Sequence, residues 1–142
     1  MAHIDLRDLT TDDRDAAYTA FRASASSWPH VGLDDRAAFD AWADVHGDDV
    51  RAVAEDGLVV GVAAVLDVAG DREILIAVSP DAGDDAATEA LRLLTVHEAE
   101  RPLYACISPD DDPSHAMLAR IGFVEHGRDG ADIVYVLPPT LE

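Results

Sequence analysis

Apolar and polar residues alternate at period two from His3 to Leu9, the pattern of a half-buried strand. Thr10 or Thr11 then caps a helix: Asp12, Asp13 and Asp15 fall in its first turn, where carboxylates suit the helix dipole, and Ala17, Tyr18, Phe21 and Arg22 follow at helical spacing. That helix fades near Ser24 to Ser27, and Trp28-Pro29-His30-Val31-Gly32 reads as a turn. Asp34 begins a second helix, which carries Ala38, Phe39, Trp42 and Val45 and is stopped by Gly47. From Val50 the period changes to strands. Val50 to Ala54 and the long apolar run Leu58 to Val68 flank Asp56-Gly57, a strong hairpin signal. A turn at Ala69-Gly70-Asp71 leads into a strand at Glu73 to Val78. After Pro80 come a loop and a helix with Ala87, Ala90, Leu91, Leu94 and Ala99 on one face, ending around Arg101-Pro102. A strand at Leu103 to Ile107, an acidic loop, a short helix at Ser114 to Ile121, and strands at Phe123 to His126 and Ile133 to Leu137 complete an α/β order of β-α-α-β-β-β-α-β-α-β-β. His126-Gly127-Arg128-Asp129-Gly130 is the turn between the last two strands.

The 142 residues fit one domain, 1–142, with no internal repeat, low-complexity tract or interdomain linker. No apolar run approaches the ~18 residues of a membrane span. The first residues lack the basic end and apolar centre of a signal peptide, so the expected location is the cytoplasm. Cys106 is the sole cysteine and sits between strand-forming neighbours, so it reads as a small buried hydrophobe rather than a nucleophile.

Charge is the unusual global feature. There are 29 acidic residues against ten basic ones, all arginine, for a net charge of -19. Such a surface repels itself at low salt, whereas near 1 M salt the Debye length falls to about 3 Å and the repulsion is screened. A halophilic host with a molar-salt cytoplasm is therefore expected. A GC-rich genome also trades Lys for Arg but does not by itself require so much Asp. Scattered arginines supply no basic patch, which disfavours nucleic-acid and anionic-membrane partners. The six histidines show no metal-ligand spacing, and no HExxH motif, nucleophile elbow or Walker loop is present, so no metal is expected.

Two local sequences, together with the element order, resemble the GNAT superfamily of N-acetyltransferases. Ile74-Leu75-Ile76-Ala77-Val78-Ser79-Pro80 is similar to its central strand and the loop before the cofactor helix. Asp111-Asp112-Pro113-Ser114, continuing to Leu118, Arg120, Gly122 and Phe123, is similar to its ending, where a helix delivers the chain into a Gly-Phe strand. The resemblance implies a mixed sheet flanked by helices, and acetyl-CoA as co-substrate. It implies that backbone groups at Ile76, Ala77 and Val78 hold the pantetheine, and that Gly83, Asp84, Asp85, Ala86, Ala87 and Thr88 form the pyrophosphate loop and helix start. N–H groups and the dipole at such a start attract anions. This loop departs from the family pattern: Gly83 stands at the basic or amide position, and Asp84 and Asp85 flank the phosphates. The alternative is that an aspartate merely caps a helix that no longer binds the cofactor.

By the same resemblance Asp111 and Ser114 lie beside the pantetheine, with a loop cap as the alternative for Asp111, and Arg120 can reach the 3′-phosphate. Direct attack needs a base for the amine and an acid for the departing thiolate. Glu73 is the candidate base, against a solvated strand-end carboxylate. Leu118 occupies the family's frequent tyrosine-acid position in the cofactor groove, which leaves Tyr104, Ser108 and His115 as candidate acids. The acceptor site is expected around Trp28, Pro29, His30, Trp42 and the His126 turn, although Trp42, at helical spacing with Phe39, also reads as core. Acidic surroundings favour a cationic amine on a small molecule or peptide, and a homodimer stays open. The activity implied is direct acetyl transfer to a primary amine. The other reading of the same departures is a non-catalytic module of this fold that serves binding or assembly.

Overall fold

The computed structural model describes residues 3–23, 35–68, 70–82, 85–98 and 100–139. The element order matches the expected one: β1 (Ile4–Asp8), α1 (Arg14–Ala23), α2 (Arg36–His46), β2 (Val50–Glu55), β3 (Leu58–Val68), β4 (Asp71–Val78), α3 (Ala86–His97), β5 (Leu103–Ile107), α4 (Asp112–Ile121), β6 (Val124–Asp129) and β7 (Asp132–Leu137). The seven strands form one sheet in the order β1-β2-β3-β4-β5-β7-β6. Every neighbouring pair is antiparallel except β4 with β5, which makes the sheet mixed.

Local chemistry sets the element ends. Asp56 and Gly57 both adopt positive φ, 51° and 87°, which is the hand of turn that lets β2 and β3 twist together. Ahead of α1, the Asp13 carboxylate accepts bonds from the Thr10 N–H at 3.3 Å, the Thr10 hydroxyl at 2.9 Å and the Arg7 guanidinium at 2.9 Å. Burial alone would raise this carboxyl, but those donors hold it below the usual carboxylate range. Asp35 caps α2 by accepting from the Ala38 N–H at 2.8 Å, and Gly47, at φ 50°, ends it. α3 stops at His97, before the expected end near Arg101. There the Arg101 guanidinium donates to the carbonyls of Thr95 at 2.7 Å and Glu98 at 2.5 Å, satisfying oxygens that a longer helix would have bonded internally.

β4 begins two residues earlier than its apolar run. Arg72 carries that extension, donating to Glu98 at 2.8 Å and Asp67 at 3.3 Å, with Asp49 and Glu100 at 3.8 and 3.6 Å. One cation thus joins the start of β4 to the end of β3 and the chain beyond α3. Each face of the sheet has its own core. On one face α3 and α4 bury Leu91, Leu94 and Leu118 against Ile74, Ile76, Ala105 and Ile107. On the other, α1 and α2 bury Ala17 and Phe39 against Val62, Ala64, Leu75 and Ala77. Phe39 is fully buried, and Tyr18, Phe21 and Trp42 ring it at centroid distances of 5.4, 5.7 and 5.8 Å, so Trp42 belongs to the core. No described helix is long and apolar enough to cross a membrane.

The last hairpin corrects the expected turn. β6 runs on to Asp129, which pairs with Asp132, and the turn is Gly130-Ala131 with Gly130 at φ 62°. Residues 126–129 are therefore strand. Their apolar period is blank because β6 is an exposed edge strand.

Candidate functional site

The parallel junction between β4 and β5 is where the sheet opens. These strands share a single register pair, Glu73 with Tyr104. Beyond it β4 continues for five residues to Val78 and β5 for three to Ile107, without further pairing. Backbone groups on the two facing edges are therefore offered to the wedge rather than to each other. Such groups demand a partner, and a ligand with amide groups can take the place of a strand. Ile76 and Ala77 are each only 1% exposed, so they present backbone rather than side chain to a ligand, as does the half-buried Val78.

Alternation places Glu73 on the face of Leu75 and Ala77, opposite Ile74 and Ile76. Tyr104 shares that face, because its neighbours Leu103 and Ala105 point into the α3 and α4 core. The two candidate catalytic residues are therefore register neighbours on one face at the apex of the wedge. Both are half-buried, and one carboxylate oxygen of Glu73 is fully buried.

The wedge widens toward the start of α3. Asp85 holds the N-cap position, at φ -95° and ψ 1°, but its side chain caps no helix N–H. With no cap bond from the Asp85 side chain, the first turn, Ala86, Ala87 and Thr88, can offer its N–H groups and the helix dipole to an anion. Ala86 is 2% exposed and serves the core through its methyl, while Ala87 and Thr88 are half-buried. Gly83 and Asp84 lie outside the described residues, as do Trp28, Pro29 and His30. A cleft of about 460 Å³ opens between α1 and the ends of β3 and β4, with Asp15, Ser79 and Asp81 among its walls.

Gly61 keeps the outer edge of this wedge in place. It pairs with Val78 across β3 and β4, and a Cβ there would collide with the Ala77 carbonyl oxygen and lie 2.9 Å from the Val78 Cα. Both obstacles are backbone, so β4 itself must shift. Gly61→Ala is expected to cost about 1–3 kcal/mol in denaturant unfolding, the usual range for overpacking. It should also raise the KM for any ligand held by the β4 backbone.

The other candidates divide between loop and core. Asp111 caps α4, accepting from the Ser114 N–H at 3.4 Å and the Ser114 hydroxyl at 2.7 Å, so the cap reading of Asp111 describes its geometry and Ser114 is its partner. Leu118 is fully buried in the α3 and α4 core, which corrects its placement in a cofactor groove: helical period turns it inward beside Met117. Arg120 is exposed in the last turn of α4, at the end away from Asp111 and Ser114. His115 is engaged at both ring nitrogens. Its Nε2 lies 2.9 Å from the Ser108 carbonyl oxygen, which only accepts, so Nε2 carries the hydrogen and Nδ1 accepts from the Tyr135 hydroxyl at 2.7 Å. That arrangement fixes the β5–α4 loop to β7 and leaves His115 without a free proton to give. Cys106 is buried, and burial together with Asp132, Glu73 and Asp129 pushes its thiol up to about 11, so it is no nucleophile. Among the described residues no group of three or more His, Cys, Asp or Glu side chains can hold a metal ion.

Comparison with known proteins agrees with this fold. Residues 3–124 match the model of the acetyltransferase (GNAT) domain. No curated protein matches the sequence. Among solved structures, a GNAT-family acetyltransferase from Bacillus anthracis superposes with a TM-score of 0.78 at 14% identity, covering 97% of this chain and 96% of that one. A diaminobutyrate acetyltransferase from Paenibacillus lautus, solved with its substrate and coenzyme A, gives 0.72 at 15% identity over 98% and 96% of the two chains. An acetyltransferase from Salmonella typhimurium, solved with acetyl-CoA, gives 0.69 at 19% identity over 100% and 96%.

Proposed function

Because the chain belongs to the GNAT family of acetyl-CoA-dependent acetyltransferases, we propose that it moves an acetyl group from acetyl-CoA to a primary amine, on a small molecule or peptide, by direct attack. The observation that carries this reading is the parting of β4 and β5 beyond the Glu73–Tyr104 pair, beside a helix start whose N-cap side chain makes no cap bond. When bound, acetyl-CoA supplies an activated acyl group on a thioester. The backbone at Ile76, Ala77 and Val78 bonds the pantetheine amides, and the N–H groups of Ala86, Ala87 and Thr88 receive the pyrophosphate. Glu73 takes the proton from the incoming ammonium, directly or through a water, which frees the nitrogen lone pair. Tyr104, next to it across the strand gap, gives its phenolic proton to the leaving sulfur. No covalent intermediate on the protein is needed, and the buried Cys106 thiol is left out of the reaction.

The acceptor is a cationic amine. Glu73 near the apex, Asp15 and Asp81 on the cleft, and the net charge of -19 all repel an acidic acceptor. The window from Gly83 to Thr88 is a degenerate form of the family's pyrophosphate loop, in which backbone N–H groups do the work of the missing basic side chain. High salt in a halophilic cytoplasm screens the flanking aspartates.

Calorimetric titration of acetyl-CoA in molar KCl tests the first half of this reading, and thiol release with a panel of primary amines tests the second. Saturable binding and amine-dependent thiol release are expected, with cationic amines the better acceptors. No binding at millimolar acetyl-CoA would sink the proposal. Leu118, in the core at the family's frequent tyrosine-acid position, favours a second reading as a non-catalytic module. Binding without turnover of any amine would identify it.

A further inference from the structure

The edge hairpin carries a feature that this reading does not use. Val124 pairs with Val136, Glu125 with Tyr135 and Gly127 with Val134, so His126 is an extra residue without a partner in the ladder. A bulge of this kind re-aims a side chain and is over-represented next to active sites. Its consequence is specific here. Tyr135 lies on the α3 and α4 face, and so does Glu125, its register partner. The row Tyr104, Val136, Val124 lies on the opposite face. Alternation from Val124 puts the His126 ring on that row, 6.0 Å from the Tyr104 ring between centroids and at 61° to it, and the bulge brings Gly127 opposite Val134 on the same face. Gly127, the next residue, adds no side chain, and a Cβ there would meet nothing within 4 Å, so the imidazole has open space beside it.

We propose that His126 is the proton relay and positioning partner of Tyr104, a residue acting through the phenol rather than on the acceptor. The inference rests on the acid role given to Tyr104 above. A phenol that gives its proton to the leaving sulfur becomes a phenolate and must recover that proton before the next turnover. Tyr104 is half-buried, whereas His126 is exposed to solvent, so the imidazole connects the phenol to water. The phenol is restored in two transfers: the phenolic proton goes to sulfur as the carbon–sulfur bond breaks, and the imidazolium then returns one to the phenolate oxygen. The neutral imidazole takes a proton from water, while the two protons that the nitrogen sheds, one from the ammonium before attack and one from the tetrahedral adduct after it, leave in turn through Glu73 to water. The carboxylates of Asp129 and Asp132, on the same sheet face by register, lack the second nitrogen through which an imidazole takes one proton while giving another. The edge-on ring contact adds a positioning function, holding the phenol toward the apex.

Four variants separate relay from packing: His126→Phe, which keeps a ring, His126→Ala, Tyr104→Phe, and the Tyr104→Phe/His126→Phe double variant. His126 is exposed on an edge strand, so all His126 variants should fold, which circular dichroism and melting verify. His126→Phe and His126→Ala are expected to lower kcat by about 10²-fold, the smaller end of general-acid effects. The double variant should be no slower than Tyr104→Phe, because two members of one unit are not additive. Added imidazole should restore part of the turnover of His126→Ala and none of Tyr104→Phe. Wild-type kcat in His126→Phe, or losses that multiply in the double variant, would overturn the relay. Wild-type turnover in Tyr104→Phe would instead sink the acid role on which it rests.

Discussion

Glu73→Gln is expected to lower kcat by about 10²–10⁴-fold, the contribution of a positioned base, while acetyl-CoA binding stays close to that of the wild type. Glutamine keeps the size and one carbonyl acceptor of glutamate but cannot take a proton at neutral pH. The half-buried side chain keeps its packing at the apex. The loss should fall on turnover because the pantetheine and pyrophosphate contacts proposed above are made by backbone groups, which the substitution leaves alone. A signature accompanies the loss. Without a base, the variant uses only amine that is already neutral in solution, so its kcat/KM should climb about tenfold per pH unit below the pKa of the acceptor, as for any uncatalysed deprotonation. A kcat equal to wild type at neutral pH, with Tyr104 intact, would remove Glu73 from the chemistry and leave it as a strand-end carboxylate.

The elements around Glu73 were legible in the sequence to an uneven degree, and the differences have physical causes. Strong periodicity marks β3, α3 and the first helices because those elements bury one face or both, and Asp56-Gly57 announces its turn through backbone chemistry alone. The apolar pattern of β4 reads two residues short because Arg72 is held by ion pairs with Asp67 and Glu98, partners on other elements, and Asp71 by its ladder pairing with Val68. The parting of β4 from β5 is a property of long-range pairing that no local pattern encodes. Leu118 illustrates the opposite error: a family position invited a ligand role, while its own helical period, shared with Met117 and Ser114, already pointed to burial. The sequence ends the strand at His126 and starts the turn there because Gly127 and Gly130 are breakers and because an edge strand with six exposed residues has no apolar period to announce it. The side chain on which the further inference depends was therefore hidden by the same exposure that lets it exchange protons with water.

Affinity for acetyl-CoA should rise with KCl, by about tenfold or more between 0.1 and 1 M, the reverse of the usual behaviour of an anion bound by lysine and arginine. The usual sign comes from cations that attract phosphate and lose that attraction as salt screens it. Here the described ligand end of α3 carries exposed Asp81 and Asp85 and no described arginine, since Arg92 is taken by Glu89 one turn further along. Unit charges ~10 Å apart in water repel by about 0.4 kcal/mol, so two or three carboxylates facing several phosphate charges oppose binding by about 1–3 kcal/mol. The opposing interaction, N–H groups and helix dipole against phosphate, acts at contact distance and survives salt better. Screening therefore removes more repulsion than attraction. Asp85→Asn provides the internal control: with one of the nearest charges gone, affinity at low salt should improve and the slope against KCl should flatten. Affinity that falls steadily as KCl rises would mean that a cationic side chain holds the phosphates, and would refute the placement of the anion at the first turn of α3.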